Sequence, residues 1–324
     1  TIFIMNITTV VVLWLGSALV ADSSIQVGDL MAFIQYVMQI MFSFQMLSMT
    51  FMIIPRAMVS IKRINEILET EPVIKNPLQE DLQTPIATGL IEFYDVTFIY
   101  PNALEPALKN VSFTAKPGEL TAIIGSTGSG KSTLANLIPR LYDTTKGTVY
   151  VDGVDVKQFS THELRERIGY VPQKNILFSG TIESNIGFGR NVTNEEITQS
   201  SHIAQAAEFI NDKEDGYNHN IAQGGMNVSG GQKQRLSIAR ALIGSPKIYI
   251  FDDSFSSLDF QTESKLKSAL ASMTINSTFI LITQRVSTIM NADQIIVLDS
   301  GKIVGIGKHN DLLETCSIYY EIAS

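Results

Sequence analysis

An internal disulfide bond is excluded by the sequence, because it contains one cysteine, Cys316, in 324 residues. We expect this residue to be a small half-buried thiol. Positive charge is also scarce: 24 Lys and Arg stand against 32 Asp and Glu, which gives a formal net charge of -8. A field of this sign repels the phosphate backbone of nucleic acids, so we expect no nucleic-acid partner.

Charge is missing altogether from two long stretches near the start of the chain, residues 2–20 and 30–54. Each stretch is near or above the roughly 20 residues that cross the hydrocarbon core of a bilayer. Two consecutive uncharged stretches are rare in soluble cores, so a buried globular hairpin is the weaker alternative. A cleaved signal peptide fits less well, because the chain opens without Met or a basic leader and the second stretch would need its own explanation. We predict two membrane helices joined by the polar turn 21–29.

Basic residues follow the second uncharged stretch, whereas the turn between the two stretches carries only the acidic residues Asp22 and Asp29. The basic residues are Arg56, Lys62 and Arg63. Because positively charged flanks tend to stay on the cytoplasmic side, we expect the chain beyond the second span to lie in the cytoplasm and the turn to face outward.

The pattern of apolar residues changes twice after the second uncharged stretch. Beyond Pro55 the apolar residues keep helical spacing, so we expect the second span to continue as a cytosolic helix and the first segment to cover residues 1–70. Residues 71–89 hold three prolines and no clear period, which predicts a linker. Residues 90–324 consist of short apolar strands separated by turns and helical blocks, and we predict a separate domain there.

A glycine-rich stretch, GSTGSGKS at Gly125–Ser132, is the strongest motif in the chain. It fits the G-x-x-x-x-G-K-S/T pattern, follows the predicted buried strand Leu120–Ile124 and precedes the helical segment TLANLIPRLY, which is the context that a phosphate-binding loop requires. The backbone N–H groups of such a loop surround a phosphate, Lys131 contacts the terminal phosphates, and the Ser132 hydroxyl can ligate Mg²⁺. The motif therefore predicts a site for ATP and Mg²⁺. The residues predicted to bind ATP here are Gly125, Ser126, Thr127, Gly128, Ser129, Gly130, Lys131, Ser132 and Thr133.

An apolar strand that ends in two aspartates, PKIYIFDD, follows more than a hundred residues later. In phosphate-loop folds the acid at the end of such a strand helps to hold Mg²⁺, and the next side chain can polarise the attacking water. By itself this pattern is weak, because many strands end in a capping aspartate. Together with the phosphate loop it predicts Asp252 as a metal ligand and Asp253 as a catalytic residue.

A third string, VSGGQKQRLSIARAL, closely resembles the signature sequence of ATP-binding-cassette (ABC) proteins. In that family the Ser-Gly-Gly opens a helix N-terminus, which is an anion site. The family's signature closes over ATP bound to the phosphate loop of a second, facing domain rather than over its own ATP. The resemblance implies that Ser229, Gly230, Gly231 and Gln232 contact nucleotide across a dimer.

The resemblance to ABC proteins extends from about residue 90 to the end of the chain. Tyr100 is placed like the aromatic residue that stacks on adenine, and Gln173 like the glutamine that senses Mg²⁺ and the transport domain. Ser256–Asp259 is placed like the loop that reaches across the dimer, and Ile282–Ile289 like the switch segment. Outside this pattern, Tyr100 would be interpreted as an ordinary edge-strand aromatic and Gln173 as a surface amide.

The resemblance implies an α/β phosphate-loop NTPase fold, with an ABC ATPase core, an antiparallel β-subdomain and an α-helical subdomain, preceded by an all-α transmembrane helix hairpin. The hairpin resembles the last two spans of half-transporters that fuse six spans to one ATP-binding domain, so we expect about four spans upstream. We expect an integral protein of the bacterial plasma membrane, with its ATP-binding domain in the cytoplasm and with membrane lipid and a second half-transporter as partners. Neither span carries a charged side chain at membrane depth, so the exported solute is not readable from the sequence.

Two residues of the predicted site depart from the ABC pattern. The family's catalytic base is a glutamate directly after the magnesium aspartate, but this chain has Asp253, and the family's switch histidine is Gln284 here. Gln223 also stands where the family often has a glutamate, although we give this little weight. We predict that the chain's own site is weakly hydrolytic and that the chain is one half of a heterodimer. The alternative is a homodimer that hydrolyses ATP slowly.

A soluble cassette ATPase acting on DNA or ribosomes would share the motifs. The two predicted membrane helices and the negative net charge oppose this interpretation.

Overall fold

The structure, a computed structural model, describes residues 2–78 and 85–323. It divides into two units, Thr1–Val73 and Ile74–Ser324. Part of the predicted linker, residues 79–84, lies outside the described residues, so the predicted domain limits stay a prediction.

The first unit consists of two antiparallel helices, α1 (Ile2–Ala21) and α2 (Val27–Leu68). They pack closely where Gly16 meets Leu30, because a Cβ at position 16 would collide with the leucine side chain. Gly16 is the only buried residue within these two helices, and their many large apolar side chains are exposed. Both helices are long and apolar enough to cross a membrane. An exposed apolar surface of this extent is typical of contact with lipid or with other apolar segments.

Helix α2 continues through Pro55 and ends at Leu68, as the helical spacing predicted. Proline has no backbone N–H, so the helix loses one hydrogen bond at this position, to the residue four positions earlier. The helix is nevertheless unbroken over 42 residues, which is a length of roughly 60 Å at 1.5 Å per residue.

The strands of the second unit are short, and they belong to three sheets. In chain order they are β1 (Ile91–Phe98), β2 (Leu108–Ala115), β3 (Leu120–Ile124), β4 (Lys146–Val151), β5 (Val154–Asp155), β6 (Ile168–Val171), β7 (Gly180–Thr181), β8 (Asn220–Ile221), β9 (Ile248–Asp252), β10 (Thr278–Ile282), β11 (Gln294–Asp299) and β12 (Lys302–Gly307).

The helices of the second unit connect and cover these strands. They are α3 (Lys131–Leu137), α4 (Thr161–Glu166), α5 (Ile182–Ile186), α6 (Asn194–Ile203), α7 (Ala207–Asn211), α8 (Gly230–Leu242), α9 (Phe260–Thr274), α10 (Val286–Ile289), α11 (His309–Thr315) and α12 (Ser317–Ala323).

The central sheet has six strands in the order β12-β11-β3-β10-β9-β6, all parallel except β12. Both of its faces are buried, as parallel sheets require. On β9, Ile248 and Ile250 belong to the core shared with the antiparallel sheet, whereas Tyr249 and Phe251 belong to the core shared with α8. This alternation explains why PKIYIFDD reads as a continuous apolar run.

A four-stranded antiparallel sheet in the order β2-β1-β4-β5 covers one face of the central sheet. Short helices α5 to α8 form a helical part on the other side. Together with the preceding helix pair, these layers confirm the predicted fold class: an α/β phosphate-loop core with an antiparallel β-subdomain and a helical part, preceded by a helical hairpin.

The helix after the glycine-rich loop is shorter than the segment TLANLIPRLY suggested. Helix α3 ends at Leu137, and the residues up to Tyr142 form turns. Pro139 contributes to the difference, because it has no backbone N–H to donate to the preceding turn, although Ile138 before it still has helical backbone angles. Arg140 follows with a positive φ of 51°, which completes the break.

Candidate nucleotide-binding site

The predicted site residues lie at one edge of the central sheet because of the register of its parallel strands. Val171 on β6 is paired with Phe251 on β9, and Ile282 on β10 is paired with both Asp252 on β9 and Ile123 on β3. The carboxyl ends of these strands therefore meet at one place, which is where open α/β sheets bind ligands. The loops that follow β3, β6, β9 and β10 carry most of the predicted residues.

A cavity of about 320 Å³ lies at this edge. It brings together eleven of the predicted residues. These are Tyr100, Thr127, Gly128, Gly130, Lys131, Ser132, Thr133, Gln173, Asp252, Asp253 and Gln284. Two further lining residues, Ile282 and Thr283, belong to the segment predicted as the switch, although no individual role was predicted for them. Ala107 also lines the cavity, and nothing in the sequence marks it.

The glycine-rich loop needs its glycines for two different reasons. Gly128 and Gly130 have positive φ angles of 82° and 103°, which side chains with a Cβ rarely adopt. A Cβ on Gly130 would also lie 2.7 Å from the carbonyl oxygen of Ala107, and one on Gly125 would collide with the carbonyl of Leu298. Open space surrounds Gly128, so its backbone faces the cavity without obstruction.

Lys131 is buried at the base of the cavity. Its ammonium group donates to the carbonyl oxygens of Gly125 at 2.8 Å and Ser126 at 2.7 Å. Burial lowers the pKa of Lys131, and the negative charges of Asp252 and Asp253 oppose this shift. A buried cation between two carboxylates and a glycine-rich loop is suited to a polyanionic ligand.

Asp252 ends β9 and is only 4% exposed. Burial raises the pKa of its carboxyl group, the neighbouring charge of Asp253 adds to the shift, and a hydrogen bond from Ser132 and the charge of Lys131 oppose it. The carboxylate and hydroxyl oxygens of Asp252 and Ser132 are therefore adjacent. Such hard oxygen ligands suit Mg²⁺.

Asp253 is held in a left-handed backbone conformation, with φ at 49°. Its N–H donates to the carbonyl oxygen of Ile282 at 2.9 Å, and its own carbonyl accepts from the hydroxyl of Ser256 at 2.9 Å. The next residue, Ser254, is fully buried and its hydroxyl donates to the carbonyl of Val171 at 3.2 Å. The backbone around Asp253 is thus tied to both neighbouring strands, which fixes where its short side chain can reach.

Two glutamines line the cavity on either side of Asp253. The Nε2 of Gln173 donates to the Oδ2 of Asp253 at 3.4 Å. Gln284 is exposed and follows β10, two residues beyond Ile282. Its side chain can donate and accept hydrogen bonds but carries no charge.

Tyr100 stands two residues beyond the end of β1, at the rim of the cavity. Its hydroxyl shares a hydrogen bond of 3.0 Å with the hydroxyl of Thr133. Its ring makes edge contacts with Phe98 and Tyr142, with centroid distances of 4.7 and 5.2 Å. These contacts fix the ring beside the phosphate loop, and the role of the ring in binding adenine stays a prediction.

The residues of the third motif lie outside this cavity, at the N-terminus of α8. Ser229 caps the helix: its hydroxyl accepts from the N–H of Gln232 at 3.2 Å, and the Oε1 of Gln232 accepts from the N–H of Ser229 at 3.0 Å. Ser229 and Gly230 are exposed, and a Cβ on Gly230 would meet no atom within 4 Å, whereas one on Gly231 would lie 3.2 Å from the carbonyl of Ser257. Gln223 is also exposed and does not line the cavity.

The loop Ser256–Asp259 and the switch segment are joined by a hydrogen bond. Arg285 donates to the carbonyl oxygen of Ser256 at 3.3 Å. Asp259 caps helix α9 by accepting from the N–H and hydroxyl of Thr262, and these bonds lower the pKa of its carboxyl group. The loop therefore has a defined shape within this chain.

The residues in the cavity fit ATP with Mg²⁺. Open backbone at Gly128, a buried ammonium group at Lys131 and backbone N–H groups of the glycine-rich loop would supply the contacts that a triphosphate needs. Within residues 2–78 and 85–323, no group of three or more His, Cys, Asp or Glu side chains could hold a metal ion. The adjacent oxygens of Asp252 and Ser132 are ligands that a Mg²⁺ site completed by substrate phosphates and water would use.

One protein-family model matches the part of the chain that contains most of this cavity. A family model described as "ABC transporter" matches residues 108–256, a little under half of the chain. The matched part includes the glycine-rich loop, the third motif and both aspartates at the end of β9.

Similar proteins match over almost the full length of the chain. An uncharacterised ABC transporter ATP-binding protein of Mycobacterium tuberculosis is 45% identical over 328 aligned residues, covering 100% of this chain and 56% of that protein. A putative multidrug export ATP-binding/permease protein of Staphylococcus aureus is 37% identical over 322 residues, covering 99% of this chain and 56% of that protein. The chain thus spans a little over half the length of these curated relatives.

A solved structure of a bacterial Atm1-family ABC exporter with ATP bound has the same fold. It is similar to this chain with a TM-score of 0.82 and 32% sequence identity, over 92% of this chain and 52% of that chain.

Proposed function

We propose that this chain, whose second unit is similar to the ATP-binding domains of ABC transporters, is the ATP-binding and transmembrane subunit of an exporter whose own phosphate-loop site hydrolyses ATP slowly. The observation that carries this proposal is Asp253, which stands in the cavity directly after the magnesium aspartate, where the family's base is a glutamate.

The shorter side chain of Asp253 is the physical reason for slow hydrolysis. A general base must come within about 2.6 to 3.2 Å of the water that it activates. Withdrawing the carboxylate by roughly 1 Å can reduce the rate on the order of a hundredfold. The left-handed backbone of Asp253 is held by Ile282 and Ser256, so the main chain cannot easily advance to compensate.

Gln284 supports the same conclusion from the other side of the cavity. The family's histidine at this position contacts the terminal phosphate and can carry a positive charge. A glutamine amide can hydrogen-bond to a phosphate but cannot neutralise it. Two departures in one cavity favour a specialised site over independent drift.

The third motif supports a role in trans. Ser229 and Gly230 are exposed at a helix N-terminus outside the chain's own cavity, so they are available to an anion on another molecule. The motif is close to the family's working signature, whereas the cavity departs from the family pattern at Asp253 and Gln284. We infer a heterodimer in which this chain contributes Ser229, Gly230 and Gly231 to a competent partner site and retains ATP at its own loop.

The apolar helices support a place in the membrane. Helices α1 and α2 expose large apolar side chains along their length, and two such helices precede the ATP-binding domain. We propose that they lie in the bacterial plasma membrane and that the ATP-binding domain is cytoplasmic. The exported solute is not indicated by any residue of the two helices.

A homodimer that hydrolyses ATP slowly at two identical sites is the second candidate. It is favoured by one observation, namely that Asp253 keeps a carboxylate in the cavity. In both assemblies the third motif of one subunit faces the phosphate loop of another, so ATP-dependent contact between subunits is common to both.

Crosslinking tests the proposed dimer. The full-length subunit carrying Ser229→Cys should crosslink to a cysteine placed in the phosphate loop of a co-purified partner, and only when ATP is present. Cys316 is buried and gives little background. A subunit without the new cysteine is the control. Crosslinks that form only within one chain, or equally without ATP, would reject the assembly.

A further inference from the structure

The hydrogen bond between Gln173 and Asp253 assigns a second role to the shorter acid. We propose that Asp253 is a positioning residue: it orients the side-chain amide of Gln173 so that the amide oxygen is presented to Mg²⁺. This inference rests on the proposed function, because it explains what a carboxylate that is too short to act as an efficient base does in the cavity.

The strand register brings the two residues together. Val171 on β6 is paired with Phe251 on β9, so the residues two positions further along each strand direction, Gln173 and Asp253, leave the sheet side by side. The hydroxyl of Ser254 donates to the carbonyl of Val171 at 3.2 Å, which ties the two loops together immediately beyond the strands. The fold therefore places the two side chains within reach of each other.

The hydrogen bond fixes which end of the amide is available. A carboxamide has a donating nitrogen and an accepting oxygen on opposite branches of one planar group. The Nε2 of Gln173 donates to the Oδ2 of Asp253 at 3.4 Å, so Oε1 is left as the free branch. Mg²⁺ prefers oxygen ligands, and an amide turned the other way would present a donor N–H₂ group to the cation.

The backbone of Asp253 is suited to hold this acceptor in place. Its N–H is bound to the carbonyl of Ile282 and its carbonyl to the hydroxyl of Ser256, in a left-handed conformation. The Gln173 side chain is long and exposed and has no such restraint of its own. Partners that orient metal ligands typically change metal affinity about 10- to 100-fold when they are removed.

A double-mutant cycle separates positioning from direct metal binding. We would measure the affinity of Mn²⁺, by electron paramagnetic resonance, for the full-length subunit saturated with a non-hydrolysable ATP analogue. The variants are Gln173→Ala, Asp253→Ala and the two combined. We expect each single variant to lose about tenfold in Mn²⁺ affinity, and the combined variant to lose no more than about twofold beyond Gln173→Ala.

Two additional variants control for charge and folding. Asp253→Asn removes the charge but keeps an oxygen that can accept from Gln173, so it should retain more Mn²⁺ affinity than Asp253→Ala. Lys174→Ala changes the same exposed loop without lining the cavity and should change Mn²⁺ affinity less than about twofold.

The outcomes distinguish this inference from the proposed function. Losses that add in the combined variant would show that Asp253 acts on the metal independently of Gln173, and an unchanged affinity in Asp253→Ala would show no role at the metal; either result overturns the positioning role. Neither result bears on the rate of ATP hydrolysis, which is measured separately. Rapid hydrolysis by the unaltered subunit would reject the slow site and leave the positioning test intact.

Discussion

The phosphate loop and the third motif are the two glycine-rich segments that we propose bind anions, and their surroundings differ. The phosphate loop is enclosed by Ala107, Leu298 and the two acids at the end of β9, and a Cβ at two of its glycines would collide with backbone carbonyls. The third motif begins α8 at the surface, and a Cβ on Gly230 would meet nothing within 4 Å. The proposed site at the phosphate loop is completed by residues of the same chain, whereas the third motif is open to a ligand bound to another molecule.

The two sites also differ in their chemistry. The enclosed site carries the two departures from the family pattern, Asp253 and Gln284, and the open site carries none in its Ser-Gly-Gly. A subunit that hydrolysed ATP well at its own phosphate loop would be expected to keep the family's glutamate and histidine at these two positions. A heterodimer with one weakly hydrolytic site requires this combination of an altered phosphate-loop site and an unaltered Ser-Gly-Gly in the same chain.

The largest expected effect comes from removing the cation of the enclosed site. Lys131→Ala should weaken ATP binding by about 3 kcal/mol, roughly a hundredfold in Kd, because the charge-assisted contacts to phosphate are lost. Lys116→Ala, a lysine on the exposed surface of the same domain, is the matched control. Titration of a labelled ATP analogue measures both, and equal affinity in the two variants would remove the basis for the enclosed site.

A matched pair of glycine substitutions tests the contrast in shape. Gly130→Ala should lower the free energy of unfolding by about 2 kcal/mol, because the position has a φ of 103° and a Cβ would lie 2.7 Å from the carbonyl of Ala107. Gly230→Ala should change it by less than about 0.5 kcal/mol. Denaturant unfolding of the full-length protein in detergent provides the comparison, and equal losses would contradict it.

The smallest expected effect is a pH dependence of metal binding. Burial raises the pKa of Asp252 above the ordinary 3.8, so its carboxylate takes up a proton, and loses its affinity for Mg²⁺, at a higher pH than an exposed aspartate would. The same shift means that the folded state holds this proton more tightly. The stabilisation of the folded state by this proton is therefore complete below pH 3.8, the ordinary pKa, and is lost as the pH rises through the pKa that Asp252 has in the folded state.

Mn²⁺ affinity measured from about pH 7.5 down to about pH 4 tests the direction of this shift. Acidification also protonates the nucleotide phosphates, and the Asp252→Asn variant reports the loss of Mn²⁺ affinity from that cause alone. We expect the wild-type protein to lose more Mn²⁺ affinity than this variant, by a factor of less than about ten. Parallel curves for the two proteins over this range would contradict a raised pKa at Asp252.

The fold and much of the enclosed site were predictable because they depend on local patterns. The glycine-rich loop between Leu120–Ile124 and a helix, and the acids at the end of PKIYIFDD, are short sequence features with a direct structural meaning. Helix α3 was predicted too long because Pro139 was not given enough weight. Local signals were sufficient wherever one segment defines one element.

The contacts between distant segments could not be predicted in the same way. The bond between Gln173 and Asp253 depends on β6 being the neighbour of β9, and nothing in either segment specifies that strand order. Ala107 lines the cavity because the turn between β1 and β2 comes close to the glycine-rich loop. Such contacts follow from tertiary packing, which a single sequence does not display.

The rate of ATP hydrolysis tests the central claim most directly. The full-length subunit should be purified with and without its partner, and ATP turnover measured in the wild type and in Asp253→Glu combined with Gln284→His. The account predicts slow turnover by the wild-type subunit alone, and an increase on the order of a hundredfold when the longer acid and the histidine are restored. Brisk hydrolysis by the unaltered subunit alone, with no gain in the double variant, would contradict it.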